Sequence, residues 1–436
     1  LITPWGDADA LRERKLSPGP GVAAEAVAKS QRERLFAAMV AEASERGYAA
    51  ISVANLIERS GVSRTAFYAQ FRDKEDCFLA TVEAIVSVSS QVFLQGGENG
   101  EGAADGLARL EGFLALVAAQ PAAARLCFVE TFAAGPAAIA QINRATDGFE
   151  ELVHRTLAAR PGETGIPRWL TRSLAQGLTK VIHTRLHRRE EDWLAALAPE
   201  LWQWALSYRS PPALLRRAGR RGGGAEVAAP TAYGSRGRAE RIIDAATQTI
   251  AERGYQATTI AQIAQAAHVS VRTFGSHFDG KADVMAAAFD RGQARMLAAA
   301  LPAARRAKSW PEAVRAAIYA MLAYLAGDPE FARLGLVEVY SAGAAILERR
   351  DRTIETLQEL LGPGYELAPQ LTPVTGEGIG GAIYAMLYDQ VHAHGAGSIE
   401  AIAPLSTFIA LAPFLGAEEA CVVAGGERAK ASGPRG

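Results

Sequence analysis

Apolar positions recur at helical spacing along most of the chain, and the same spacing is met twice. Leu35, Met39 and Ala43 fall at i, i+4 and i+8, and so do Ile242, Ala246 and Ile250; this period lines one face of a helix. Further on, Leu107, Leu110, Phe113, Leu114 and Val117 form such a stripe, as do Val314, Ile318, Met321, Leu322 and Leu325. Period-two alternation is hard to find and alanine dominates the apolar share, so the pattern predicts an all-α fold. Late in each half come two more apolar helices, expected over 171–187 and 193–207, then over 375–393 and 399–415. Gly378, Gly380 and Gly381 open the third of these. Small residues there let a neighbouring helix approach closely, although the same run also suits a loop.

The two halves are copies. Residues 46–74, RGYAAISVANLIERSGVSRTAFYAQFRDK, align without a gap on 253–281, RGYQATTIAQIAQAAHVSVRTFGSHFDGK, and ARLCFVETFAAGPAAI at 124–139 aligns on ARLGLVEVYSAGAAIL at 332–347. A repeat of whole units changes the reading of the chain. It divides into a flexible arm (1–28), a first helical head (29–78), a first helical domain (79–208), a linker (209–236), a second head (237–284), a second helical domain (285–416) and a flexible tail (417–436). The linker holds Pro211, Pro212, a GGG run at 222–224 and Arg216, Arg217, Arg220 and Arg221. A Gly-rich segment of its length spans about 30 Å, enough to pass from the end of one unit to the next head.

Each head carries a helix, a turn and a short second helix. Ser52 precedes an apolar helix ending near Ser60, Gly61 supplies the turn, and Ser63 caps a helix from Arg64 to about Phe71; this is helix-turn-helix spacing. Ser270 occupies the cap in the second head, where Thr259 and Gln262 also form a capping box. Phe67 and Phe71, four apart, bury together with Val62 and leave the opposite face outward. That face carries Arg64, Thr65, Tyr68 and Ala69 in the first head, and Val271, Arg272, Gly275 and Ser276 in the second. Arg suits guanine edges, Thr and Ala suit thymine methyls, and Tyr or Ser hydroxyls suit phosphates. Lys74 and Lys281 open the next helix, a place for a phosphate, and Gln70 and His277 complete the candidate contacts with Ser63 and Ser270.

At these residues the chain resembles the TetR/AcrR family of transcription regulators, whose signature the run GVSRTAFYAQFRDKEDCF at 61–78 is similar to, with Phe67, Tyr68, Phe71 and Lys74 at the matching positions. The ARL…VE…AG stretches resemble the ligand domains of some members. The resemblance implies heads that bind double-stranded operator DNA as a pair. It implies helical domains that hold a small-molecule effector, taken here as largely apolar, and that pair through their last two helices. With two units in one chain, that pairing is expected within the chain, giving a single-chain pseudo-dimer, a repressor on an asymmetric operator. The second head departs from the pattern: Gly275 replaces the aromatic, His268 stands at the turn glycine, and Gly280 precedes the lysine. The alternative is therefore a ligand-binding or interaction protein whose second head has lost DNA binding.

Composition adds limits. At 436 residues the chain accommodates at least two cores, and 49% hydrophobic with 21% charged residues is ordinary globular usage. A net charge of -1 leaves any DNA contact to local patches. Cys77, Cys127 and Cys421 are too few and scattered for a disulfide framework, which fits a reducing cytoplasm. No long uninterrupted apolar run or signal segment is found, so no membrane partner is expected. The chain opens on Leu1, which is expected to reflect a trimmed start or a non-standard start codon.

His183 and His187, four apart, have the spacing of half a metal site but belong to a basic-to-acidic run; His392 and His394 have no companion ligands, so no metal or cofactor is expected. Arg125/Arg333 and Glu130/Glu338 recur in both copies and suit a shared fold contact, with an effector contact as the alternative. Trp169, Trp193, Trp202 and Trp204 in the first domain, and Tyr319, Tyr324, Tyr340, Tyr384 and Tyr388 in the second, suit pocket walls or ordinary core packing. No nucleophile elbow, phosphate loop or zinc signature appears, and no enzyme is expected.

Overall fold

The computed structural model describes residues 2–14, 16, 23–95, 103–163, 165–215 and 237–425. Most of the linker, the last part of the tail and the stretch 17–22 of the arm lie outside the described residues. Among the described residues the fold is all-α apart from one two-stranded hairpin. The chain divides into two compact units, Leu1–Gly162 with Leu178–Trp202, and Glu163–Gly177 with Gln203–Gly436.

In the first unit the head is built from helices Ala24–Arg46, Val53–Ser60 and Arg64–Tyr68, followed by the long helix Lys74–Gln95. The stripe read from sequence is the buried one: Leu35, Met39 and Ala43 face the core with Leu56, Phe67 and Phe78. The helical domain continues through Ala103–Ala119, Pro121–Arg125, a π-helical turn at Leu126–Glu130, Thr131–Ala134 and Pro136–Ala158. The arm is not flexible where it is described. Ile2–Thr3 pairs antiparallel with Gly6–Asp7, and Asp7 caps a helix over Ala8–Glu13. Trp5 packs its ring 5.1 Å from Phe36, and Ala8 is buried. Asp9 joins Arg59, Glu42 and Glu45 in a charged network on the head. A two-residue strand pair has no periodicity of its own, so the sequence carries no signal for it.

The second unit repeats the head as Arg238–Arg253, Ile260–Ala266 and Val271–Gly275, followed by Lys281–Arg305. Ile242, Ala246 and Ile250 are fully buried, as their spacing requires. The domain continues through Trp310–Gly327, Pro329–Leu336, Ala344–Gln358, Pro373–His394 and Ala403–Leu415. A further helix, Ala417–Val423, buries Ala420 and Cys421, contrary to the flexible tail expected from 417; the rest of that expected tail lies outside the described residues. Residues 396–415 are long and apolar enough to cross a membrane, contrary to the sequence reading, but 78% of the apolar window is buried inside the fold, as in a core helix.

Residues 163–177 and 203–208 belong to the first repeat by sequence, yet they pack in the second unit. Gly177 and Gly378 make this possible. A β-carbon on Gly177 would lie 2.5 Å from the Gly378 carbonyl oxygen, and one on Gly378 would lie 2.8 Å from the Trp204 ring. The glycines at 378–381 are thus helical residues at a close approach, not a loop. Trp204 is fully buried and donates from Nε1 to the Tyr208 hydroxyl at 3.2 Å, which itself donates to Ile409 O at 2.8 Å. Trp169 meets Phe408 edge-on at 6.0 Å.

Candidate nucleic-acid interface

Both recognition helices are fixed by their caps. The Ser63 hydroxyl accepts from Ala66 N–H at 3.2 Å and the Ser270 hydroxyl from Thr273 N–H at 3.0 Å. The preceding helices open on reciprocal boxes, Ser52 with Asn55 and Thr259 with Gln262. Phe67 and Phe71 are buried with rings 5.8 Å apart, and Phe274 and Phe278 repeat the pair at 5.8 Å. Each helix is only five residues long before its last turn loosens, shorter than the spacing predicts. Its outward face is as expected: Ser63, Arg64, Thr65, Tyr68 and Ala69 are exposed in the first head, and Ser270, Val271, Arg272, Gly275, Ser276 and His277 in the second. Arg64 lies over the Tyr68 ring, 5.8 Å from its centroid.

Four candidates carry internal bonds that the sequence did not signal. Gln70 is half-buried and its amide joins Gln31 and Arg32 of the first helix. Ser276 donates to Thr273 O at 2.7 Å. Lys74 donates from Nζ to Tyr48 O at 3.0 Å and sits 4.1 Å from the centre of that ring; Lys281 does the same with Tyr255, at 2.7 and 4.3 Å. Burial holds both ammonium groups below the usual lysine range. These lysines tie the helix after the motif to the turn before it.

The two turns differ. Gly61 adopts the left-handed conformation at φ +63°, with the Arg34 guanidinium buried behind it and donating to Ser60 O at 3.0 Å. His268 takes the same conformation at φ +54° with a side chain attached, which costs about 1–2 kcal/mol. Glycine gives back part of that gain through unfolded-chain entropy, so His268→Gly is expected to stabilise the second head by up to about 1 kcal/mol. Denaturant unfolding checks it; a loss of stability would mean that the imidazole makes a contact that outweighs the strain.

The recurring glutamates join each helical domain to its head. Glu130 accepts the Tyr48 N–H at 2.7 Å and Glu338 the Tyr255 N–H at 2.8 Å, each beside a glycine of positive φ, Gly47 or Gly254. Burial raises the Glu130 carboxyl above the usual range, and the bond from Tyr48 N–H opposes it. The arginines diverge: Arg125 pairs with Glu191, whereas Arg333 lies 3.7 Å from Glu338.

Each helical domain encloses a cavity. The first, about 900 Å³, is lined by Phe113, Phe128, Phe149, Cys127 and Ile142 among others, with Arg109 and Arg144 at its wall. The second, about 130 Å³, is lined by Met296, Met321, Phe331, Arg350 and Tyr384 among others. Of the aromatics singled out from sequence, Tyr384 is at a cavity wall; Trp204 and Trp169 are packing residues and Trp193 is exposed. His183 and His187 stack on each other at 6.0 Å, and among the described residues no three potential ligands gather for a metal. All three cysteines are buried, which pushes the Cys77 and Cys127 thiols up to about 12.

The family model for bacterial regulatory proteins of the tetR family matches twice, at residues 35–81 and 242–288. A search of curated proteins finds no match. Among solved structures, the fatty acid degradation regulator FadR from Bacillus halodurans is 24% identical, with 40% of this chain and 96% of that one covered and a TM-score of 0.37. FadR from Bacillus subtilis, solved with stearoyl-CoA, is 18% identical over 41% of this chain and 98% of that one, at 0.35. A TetR family regulator from Marinobacter aquaeolei VT8 is 19% identical over 40% and 94%, at 0.31. The family model falls, both times, on the helices whose caps and outward faces form a helix-turn-helix, so the chain carries two heads similar to those of bacterial regulatory proteins of the tetR family.

Proposed function

We propose that this chain is a ligand-responsive repressor, a single-chain pseudo-dimer whose two heads read the two unlike halves of one operator. The observation that carries the reading is the pair of capped recognition helices with polar and basic residues outward. The packing of Trp204, Gly177 and Trp169 against Gly378 and Phe408 supports pairing within the chain, because it is made by the last helices of both repeats. Binding-site selection from random duplexes tests the DNA reading, and affinity should fall steeply with salt, log K dropping by about 0.9 for each phosphate contacted per decade of salt. Light scattering is expected to return one chain mass, 46.1 kDa. A stable two-chain particle would show that like repeats pair across chains, and failure to select any sequence would remove the operator.

The first cavity supports an effector role, since its volume lies within the range of small-molecule sites. Its wall includes Cys127 and Phe128, in the same turn as Glu130. Gly335 and Leu336 line the second cavity just before Glu338. An occupant that shifts either turn shifts the carboxylate on which the head rests, and so biases head spacing. Glu338→Ala leaves the buried Tyr255 N–H unpaired and is expected to cost about 1–3 kcal/mol, whereas Glu338→Gln keeps an acceptor and most of the stability. Thermal unfolding of both variants decides; equal losses would show that the charge, not the acceptor, holds the head.

A further inference from the structure

The wall of the second cavity contains a buried cation. Arg350 is 2% exposed, donates from Nε and Nη2 to Asp351 Oδ1 at 3.0 and 2.7 Å, and is flanked by the rings of Tyr340 and Tyr384 at 5.1 and 5.2 Å. Its Nη1 has no hydrogen-bond partner. A buried donor left unmade is costly, and a cavity beside it is where a partner would enter. Carrying the 208-residue offset of the 124–139 and 332–347 stretches three residues further places Ile142 opposite Arg350, and Ile142 lines the first cavity, so a cation at this position belongs to the second repeat.

We propose that the second cavity is a distinct effector site for a compact, neutral, apolar molecule whose carbonyl oxygen accepts from Arg350 Nη1. This rests on the reading of the chain as ligand-responsive and adds the ligand's class and a second, unlike site. Size follows from volume: about 130 Å³ is close to the roughly 150 Å³ of an engineered apolar cavity that takes benzene. Polarity follows from the walls: Met296, Ile318, Met321, Leu325 and Leu357 are apolar, and the polar side chains Gln293, Thr353 and Gln358 already donate to the carbonyls of Arg349 and Gly376, which leaves Arg350 as the point of recognition. Neutrality follows from Asp351. The ion pair is already balanced, so an entering carboxylate would bring a second, uncompensated anion into an apolar space, while a ketone or ester oxygen satisfies the donor without adding charge.

The test uses the full chain carrying methyl-labelled methionine, because Met296 and Met321 both line the cavity. Cyclohexanone, its hydrocarbon isostere methylenecyclohexane, and cyclopentanecarboxylate are titrated in turn without DNA. Cyclohexanone is expected to shift both methyl signals and to bind about tenfold more tightly than the isostere, the return on one hydrogen bond to a charged donor; the carboxylate is expected to bind more weakly still. Ala317→Leu, which fills the cavity, should abolish the shifts. Equal affinity for ketone and isostere, tighter binding of the acid, absent methyl shifts, or unchanged binding in a folded Ala317→Leu protein would each overturn the inference. If that variant does not fold, the order of the three ligands on the parent chain decides alone. DNA affinity is measured on the same samples: ligand failure with DNA binding intact removes this site and leaves the regulator reading standing.

Discussion

Trp204→Ala is expected to cost the second unit about 3–5 kcal/mol, the range for truncating a large buried aromatic. The indole is fully buried, covers Gly378, and donates to Tyr208, whose hydroxyl in turn reaches the Ile409 carbonyl. Its loss leaves a cavity between helices whose backbones lie too close to re-pack by sliding. Gly378→Leu attacks the same place from the other side, since a β-carbon there already meets the indole at 2.8 Å, and overpacking of this kind costs about 1–3 kcal/mol or more. Trp193→Ala is the control: that ring is 69% exposed, and its removal should stay within about 0.5 kcal/mol. Calorimetry on the three variants, with light scattering beside it, is the measurement. A Trp204→Ala protein as stable as Trp193→Ala would refute the assignment of this packing as what holds the last helices of the two repeats together.

An asymmetric operator is the second large effect expected. A symmetric dimer reads a palindrome because its recognition helices are identical, and here they are not. Arg64 and Arg272 sit one position apart in their aligned helices, a turn of about 100° around the axis. Arg64→Ala and Arg272→Ala should each relax preference in one half-site only, by about 1–3 kcal/mol at a guanine contact. The half under the second head should contribute less, because exposed Gly275 has no counterpart to the Tyr68 hydroxyl. Nothing lies within 4 Å of where a Gly275 β-carbon would be and the position is exposed, so Gly275→Tyr starts from open space and should raise operator affinity. Footprinting of the selected sequence decides between the readings. A perfect palindrome protected equally on both halves would show that identical repeats pair or that the differing residues do not read bases.

What the sequence determined by itself is the part of this protein whose physics is local. Ser63, Ser270 and Thr259 cap the turns that follow them, Gly61 takes the left-handed turn, and Phe67 with Phe71 falls on one side of a helix; these need no knowledge of the rest of the chain. The outward faces then follow by subtraction, and the repeat doubles every such signal. Periodicity also tells which side of a helix is buried, as at Leu35 and Ile242, but not against what. That was left to tertiary structure. Trp204 and Gly378, far apart in sequence, meet only because two glycines let backbones close; Lys74 and Glu130 bond to the Tyr48 peptide across long separations. Arg350 stands in a charged run, ERRDR, that reads as a solvated face, yet it is buried because Asp351 balances it and Tyr340 and Tyr384 enclose it. The unequal cavities belong to the same class. Volume is what remains after every side chain has packed, so no spacing along the chain encodes it, and only the fold decides which repeat has room for which ligand.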